Sequence, residues 1–138
     1  MTTPPRGLRN NNPLNIRHSR DFFLGEVKGT DRAFKSFVSL AYGYRAAFVT
    51  LYTYLKNGRN TIEKIIFKWA PPSENNTLGY IAKVEKYSGV PKDKVLTAVD
   101  GAEYILIVAS MSAVENGQNA DINQIKAGFA LQNKFKLQ

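Results

Sequence analysis

One stretch of the chain, residues 104–114, constrains the fold more than any other, because it is apolar or small at nearly every position. Its sequence, YILIVASMSAV, has no polar stripe, so a helix built from it has no face that prefers water. Such a helix is normally the central element of a globular core. The stretch ends in Glu115, and the Asn116 and Gly117 that follow predict a helix C-cap.

Glu115 is therefore expected in the last turn of a buried helix. Burial and the negative end of the helix dipole both disfavour the carboxylate, so both raise the pKa of this side chain. A carboxylic acid that keeps its proton near neutral pH can protonate the leaving oxygen of a glycosidic bond. Glu115 is the leading candidate for a general acid. The alternative is a side chain that turns outward and is solvated, as charged residues at helix ends usually are.

The composition limits the classes of function open to this chain. The 138 residues fit one compact domain, 1–138, with no cysteine and a single histidine, His18. The missing cysteine excludes disulfide frameworks, thiolate zinc sites and cysteine nucleophiles. One histidine disfavours both a histidine-rich metal site and a serine triad, so we expect no metal and no organic cofactor.

A formal net charge of +8 predicts either a polyanionic partner or simply a basic surface. Nucleic acid, an anionic membrane surface and an acidic cell-wall polymer would all suit such a charge. The basic residues are spread along the chain, so no nucleic acid partner is expected. No run approaches the roughly 18 apolar residues of a membrane span, and the opening MTTPPRGLRNNN is not a secretory signal. We expect a monomer made in the cytoplasm.

The pattern along the chain predicts an α+β domain that is mostly helical. Residues 1–13, rich in Pro, Gly, Asn and Arg, predict an extended or looped N-terminal segment. Residues 14–39 predict a small β lobe of two or three short strands, from the segments 14–17, 22–27 and 33–38, with a hairpin turn at 29–31. Residues 40–138 predict a helical lobe, with helix stops at 57–58, 71–72 and 89. Capping-box spacing predicts three helix starts: Asn60 with Glu63, Asp100 with Glu103, and Asp121 with Gln124.

A second acid of interest, Glu26, lies in the predicted β lobe. A carboxylate there, across a cleft from a helix-borne acid, could orient water or stabilise an oxocarbenium-like transition state. The alternative is an ordinary polar position on an exposed hairpin, where polar and apolar side chains alternate.

Polar and aromatic side chains supply candidates for sugar binding. The asparagines of residues 10–15 either bond the local backbone in a tight loop or line a cleft wall and bind sugar hydroxyls. Aromatic rings stack on sugars, although aromatic residues at helical spacing are more often part of the core. The predicted substrate-binding residues are Asn11, Asn12, Asn15, Arg17, Trp69 and Tyr80.

Several strings resemble a family of phage and prophage proteins described as virion structural or lysozyme-like. Residues 6–17, RGLRNNNPLNIR, are similar to the family opening RGxRNNNPxNIR. Residues 34–46 match FxxFxSxxxGxRA, residues 61–84 match TIxxIIxxWAPPxENxTxxYIxxV, and residues 115–117 match a late ENG. The resemblance covers most of the chain and implies a phage or prophage protein with one lysozyme-like domain.

A looser similarity links the chain to bacterial glucosaminidases of the autolysin and flagellar type. Residues 11–17, 34–39 and 80–84 resemble, in that order, their Asn-Asn segment, their FRxYxS segment and their YAxKV-like segment. In those enzymes the catalytic glutamate ends an apolar helix before the Asn-Asn segment, whereas here the similar helix, 107–117, follows it. The resemblance therefore implies a circularly permuted lysozyme-like fold. It implies these roles: Glu115 as general acid, Glu26 as β-lobe carboxylate, Tyr80 near the scissile sugar, and Asn11, Asn12 and Asn15 in the cleft floor.

These observations predict cleavage of peptidoglycan glycan strands, either by hydrolysis of the lysozyme or glucosaminidase type or by lytic transglycosylation. A phage particle or host lysis would bring the protein to the wall. One alternative is a non-catalytic virion structural or wall-binding protein that keeps the fold. A basic nucleic-acid-binding domain is a third possibility, which no recognised motif supports.

Overall fold

A single helix near the C-terminus, flanked by four others, organises the molecule. The computed structural model describes residues 3–138, so the first two residues of the predicted N-terminal segment lie outside the described part. The elements confirm a mostly helical α+β domain with one small antiparallel sheet. In chain order they are α1 (Arg6–Arg9), β1 (Glu26–Val27), β2 (Ser36–Phe37), α2 (Leu40–Lys56), α3 (Ile62–Trp69), α4 (Thr77–Ser88), α5 (Gly101–Asn116) and α6 (Ile122–Ala130).

The apolar helix α5 is the centre of the core, as its sequence predicts. It contacts α1, α2, α4 and α6. Tyr104, Ile107, Val108 and Met111 have no exposed surface. Because α5 contacts four other helices, a polar residue at its end lies among several chain segments. No helix within residues 3–138 has the combined length and apolarity needed to cross a membrane.

Helix starts follow the predicted positions with two corrections. Asp121 caps α6 as predicted, with its Oδ1 accepting from the backbone of Asn123 at 3.0 Å. The cap of α3 is Thr61, not Asn60, because Thr61 has extended backbone and its Oγ1 accepts from Lys64 N at 3.2 Å. Asp100 does precede α5, but its side chain makes no capping hydrogen bond.

The β lobe is smaller than predicted. The strands β1 and β2 pair antiparallel in the register Glu26 to Phe37 and Val27 to Ser36. The predicted third strand at 14–17 contributes only an isolated bridge between Arg17 and Phe34. The predicted turn forms around Asp31, whose Oδ1 accepts from two backbone N–H groups, those of residues 33 and 34. A carboxylate that bonds its own following backbone in this way stabilises a tight turn.

The N-terminal segment is not extended throughout, so this part of the prediction is wrong for Arg6–Arg9. These residues form one helical turn, α1, directly after Pro4 and Pro5. Proline suits the start of a helix because its φ is already helical and it lacks an N–H that would stay unbonded. The turn packs against α5, and it thereby brings the start of the chain to the end of the central helix.

Candidate functional site

Glu115 lies in the last turn of α5, as predicted, and it is partly buried. Both of its carboxyl oxygens accept a hydrogen bond from a neutral donor. Asn15 Nδ2 donates to Oε1 at 2.8 Å, and the Tyr80 hydroxyl donates to Oε2 at 2.9 Å. Asn15 comes from the N-terminal segment and Tyr80 from α4, so three separate parts of the chain meet at this carboxyl group. Glu115 and the residues that act on it form the Glu115 group.

Burial raises the pKa of Glu115 above its ordinary value. Four neighbours act in the opposite direction: the hydrogen bonds from Asn15 and Tyr80, the charge of Arg17, and the indole N–H of Trp69. Desolvation is the larger effect, so the pKa stays raised. Tyr80 itself is buried beside this carboxylate, and both conditions hold its pKa well above the ordinary value for tyrosine. Tyr80 therefore keeps its proton and remains a donor.

Backbone geometry places Asn15 against Glu115. Asn15 has a positive φ of 54°, in the left-handed region that asparagine tolerates better than most residues. Asn12 stabilises the preceding loop through its buried side chain. Its Oδ1 accepts a hydrogen bond from Ile16 N at 2.9 Å. Asn12 Nδ2 donates to the carbonyls of Ile16 and Lys35 at 2.9 and 2.8 Å.

Asn12 is not available to a substrate, which corrects its prediction as a sugar-binding residue. Its side chain has no exposed surface and its amide is saturated by backbone groups. Asn11 does not join the Glu115 group either. Its Nδ2 donates to the carbonyl of Phe37 at 3.1 Å, which ties the loop to β2. The local-backbone alternative describes the bonds between Asn12 and Ile16, whereas Asn11 bonds a carbonyl 26 positions away.

The remaining predicted residues do surround Glu115. Trp69, the last residue of α3, is partly buried between the main core and the small cluster around Phe37, and its ring meets Tyr54 edge-on at 6.1 Å. The side chain of Arg17 is two-thirds exposed and lies over the Phe34 ring, 5.4 Å from its centre. Four of the predicted substrate-binding residues therefore act on Glu115, and their role in binding a substrate stays a prediction: Asn15, Arg17, Trp69 and Tyr80.

Glu26 has other partners. Its two oxygens accept from Lys35 Nζ at 3.1 and 3.0 Å, and Oε1 also accepts from Phe23 N. Lys35 is 1% exposed, and its ammonium group also donates a hydrogen bond to the carbonyl of Asp21 at 2.8 Å. Removing Glu26 would leave a buried cation without its counter-ion. These contacts make Glu26 a structural partner of Lys35 and leave it outside the Glu115 group.

Sequence reasoning missed Asn116, the residue next to the acid. Its Nδ2 donates to Pro13 O at 2.8 Å and to Ser112 O at 2.9 Å, so it fastens the N-terminal loop to α5. The Ser112 hydroxyl in turn bonds the Tyr44 hydroxyl at 2.8 Å. The available signal was an asparagine directly before a helix-ending glycine, but that signal is equally typical of an ordinary helix end.

The larger grooves of the molecule lie elsewhere. One of about 590 Å³ lies along α4 and α5, beside Lys83, Tyr87 and Leu106. Another of about 660 Å³ lies between α5 and α6, beside Ile105 and Phe129. Glu115 lines neither of them.

Comparison with known proteins gives one relevant relationship. No family model matches the chain. Protein P5 of Pseudoalteromonas phage PM2 is 39% identical to it over 130 residues, an alignment that covers 90% of this chain and 79% of the phage protein. Identity over so much of both proteins reflects a common fold and ancestry, and the chain belongs to the family of this phage protein P5.

Proposed function

We propose that this protein cleaves the glycan strands of peptidoglycan, with Glu115 as the general acid. The observation that carries the proposal is the carboxyl group itself: it ends a buried apolar helix, its pKa is raised by burial, and neutral donors hold both oxygens. A raised pKa favours the protonated acid, which is the form that can donate to the glycosidic oxygen. The two donors fix the orientation of the carboxyl group without supplying a full positive charge that would ionise it.

The reaction proposed here uses one carboxyl group. Glu115 donates its proton to the glycosidic oxygen as the bond to the sugar carbon breaks, and the sugar develops positive charge. Because Glu26 is bound to Lys35, its predicted role as the second carboxylate has no support in its contacts. Attack by water would give a reducing sugar, and attack by a hydroxyl of the same sugar would give an anhydro product. In either case the attacking O–H group returns a proton to the Glu115 carboxylate. The masses of the products distinguish the two.

The proposal includes a lysozyme-like fold in circularly permuted order. Asn15 and Glu115 are hydrogen-bonded although they lie 100 positions apart in the chain. The acid helix that precedes the Asn-Asn segment in glucosaminidases would here follow it and occupy the equivalent place. The relationship to a phage protein supports delivery to the wall by the phage particle or during host lysis.

The test is clearing of purified peptidoglycan by the parent protein and by Glu115→Gln, with released fragments identified by mass. Glu63→Gln is the matched control, because it makes the same chemical change in the first turn of α3, among residues that do not contact Glu115. We expect the parent and the control to clear walls and Glu115→Gln to be inactive. Binding without clearing by all three proteins would overturn the proposal in favour of a non-catalytic virion or wall-binding protein.

A further inference from the structure

Arg17, the cation beside Glu115, is only weakly paired with other charged groups. Arg17 contacts one carboxylate among the described residues, Glu74, at 3.7 Å, and both side chains are more than half exposed. An ion pair of that length and exposure adds little stability, so a ligand can displace it at small cost. Arg17 is therefore available to an anion from solution.

Two neighbouring cations already have close carboxylate partners. Arg6 binds Asp31 through two nitrogens, at 2.6 and 2.7 Å, and Lys35 binds Glu26. Arg6 and Arg17 both lie over the Phe34 ring, at 4.6 and 5.4 Å from its centre, but only Arg6 has a two-point carboxylate partner. The ring holds the guanidinium of Arg17 in place, which lowers the entropy lost when a ligand binds.

We infer that Arg17 is a carboxylate subsite, which selects glycans whose sugars carry an acidic substituent next to the bond that Glu115 cleaves. The guanidinium fork matches a carboxylate in two-point geometry, which an uncharged sugar cannot offer. Arg17 follows two positions after Asn15, whose Nδ2 donates to Glu115 Oε1 at 2.8 Å, so the guanidinium and the acid can serve neighbouring parts of one substrate. This inference rests on the proposed function for the position of the scissile bond, but charge-selective binding can be measured without turnover.

The experiment compares two ligands that differ only in charge. One is glycan strands from peptidoglycan stripped of peptides by an amidase, which bear free lactyl carboxylates. The other is the same strands with those carboxylates converted to neutral methylamides. Dissociation constants are measured in about 0.5 M sodium chloride, which screens the general attraction between the basic protein and the charged strands. The proteins are Glu115→Gln, alone and combined with Arg17→Gln, Arg17→Lys or Arg59→Gln. Arg59 is the matched control, since its guanidinium also lies over an aromatic ring, that of Tyr54, at 5.9 Å.

We expect the charged strands to bind about tenfold more tightly than the neutral strands, as one charge-assisted contact can provide. Arg17→Gln should remove this preference, Arg17→Lys should keep part of it, and Arg59→Gln should leave it unchanged. The inference is overturned if the preference persists in Arg17→Gln, if the two ligands bind equally, or if neither binds. Cleavage of both ligands by the parent protein is scored separately. Charge-selective binding without cleavage refutes only the proposed function, and cleavage without charge selectivity refutes only the subsite.

Discussion

At the scale of single residues, the site combines one ionisable acid with neutral neighbours that hold it. This arrangement has a cost for folding, which can be measured. The pKa of Glu115 is raised in the folded protein, so the folded state holds this proton more tightly than the unfolded chain does. The stability contributed by the group is fully present below its unfolded pKa of about 4.3, and it is lost as the pH rises through the folded pKa.

Glu115→Gln should therefore be more stable than the parent at neutral pH, by about 1 kcal/mol, because glutamine cannot ionise in the buried position. The difference should shrink to nearly zero near pH 3, where the parent carboxyl group is protonated as well. Urea unfolding of both proteins at the two pH values measures it. Glu63→Gln provides the baseline for removing a half-buried charge at a helix start. A loss of stability in Glu115→Gln at neutral pH would show that the hydrogen bonds and the charge of Arg17 outweigh the desolvation of the carboxylate.

At the scale of elements, the site depends on how α1 packs against the end of α5. Gly7, in α1, faces three oxygens, and a Cβ there would lie 2.8 Å from Asn116 Oδ1 and 2.9 Å from both Asn15 Oδ1 and Asn12 O. The two amide oxygens are buried and accept no hydrogen bond within the described residues. Close approach of a glycine Cα–H group is a weak but favourable contact for such oxygens.

Gly7→Ala should destabilise the protein by about 1–3 kcal/mol, since the added methyl group must push α1 away from α5. Helix propensity alone predicts the opposite sign, a gain of up to about 1 kcal/mol. Thermal unfolding of the variant decides between the two. Because Asn15 lies at this contact, the variant should also lose wall-clearing activity at temperatures where it remains folded. A stabilised, fully active variant would show that α1 does not position the site.

Features set by local contacts were predictable, and features set by distant contacts were not. The central helix, the cap at Asp121 and the turn at Asp31 depend on neighbours a few positions away, and all three were predicted from the sequence. The pairing of Glu26 with Lys35 and the burial of Asn12 depend on how the loop folds over the sheet. The role of Asn116 depends on Pro13, which is 103 positions distant. The pattern of residues along one chain does not show which distant segments meet; the meeting of Asn15 with Glu115, 100 positions apart, was suggested only by the resemblance to glucosaminidases.

At the scale of the whole molecule, most of the positive charge is unpaired. Of the nineteen basic residues, four form ion pairs within residues 3–138: Arg6, Arg17, Lys35 and Lys94. The remaining cations leave a net charge of +8 available to a polyanion. Attraction of this kind acts over about 10 Å in dilute salt and is largely screened at high salt. It should therefore govern how the protein reaches an acidic cell wall more than what it does there.

Association with walls that contain acidic polymers should weaken at least tenfold between about 0.05 M and about 0.5 M sodium chloride, because the Debye length falls from over 10 Å to under 5 Å. Sedimentation of the protein with purified walls measures this. Walls stripped of their acidic polymers are the control, and on them the salt effect should be much smaller. The carboxylate contact proposed for Arg17 would be short and made at two points, so it should survive in salt that abolishes the general attraction. Equal salt sensitivity on both kinds of wall would show that the net charge does not guide association.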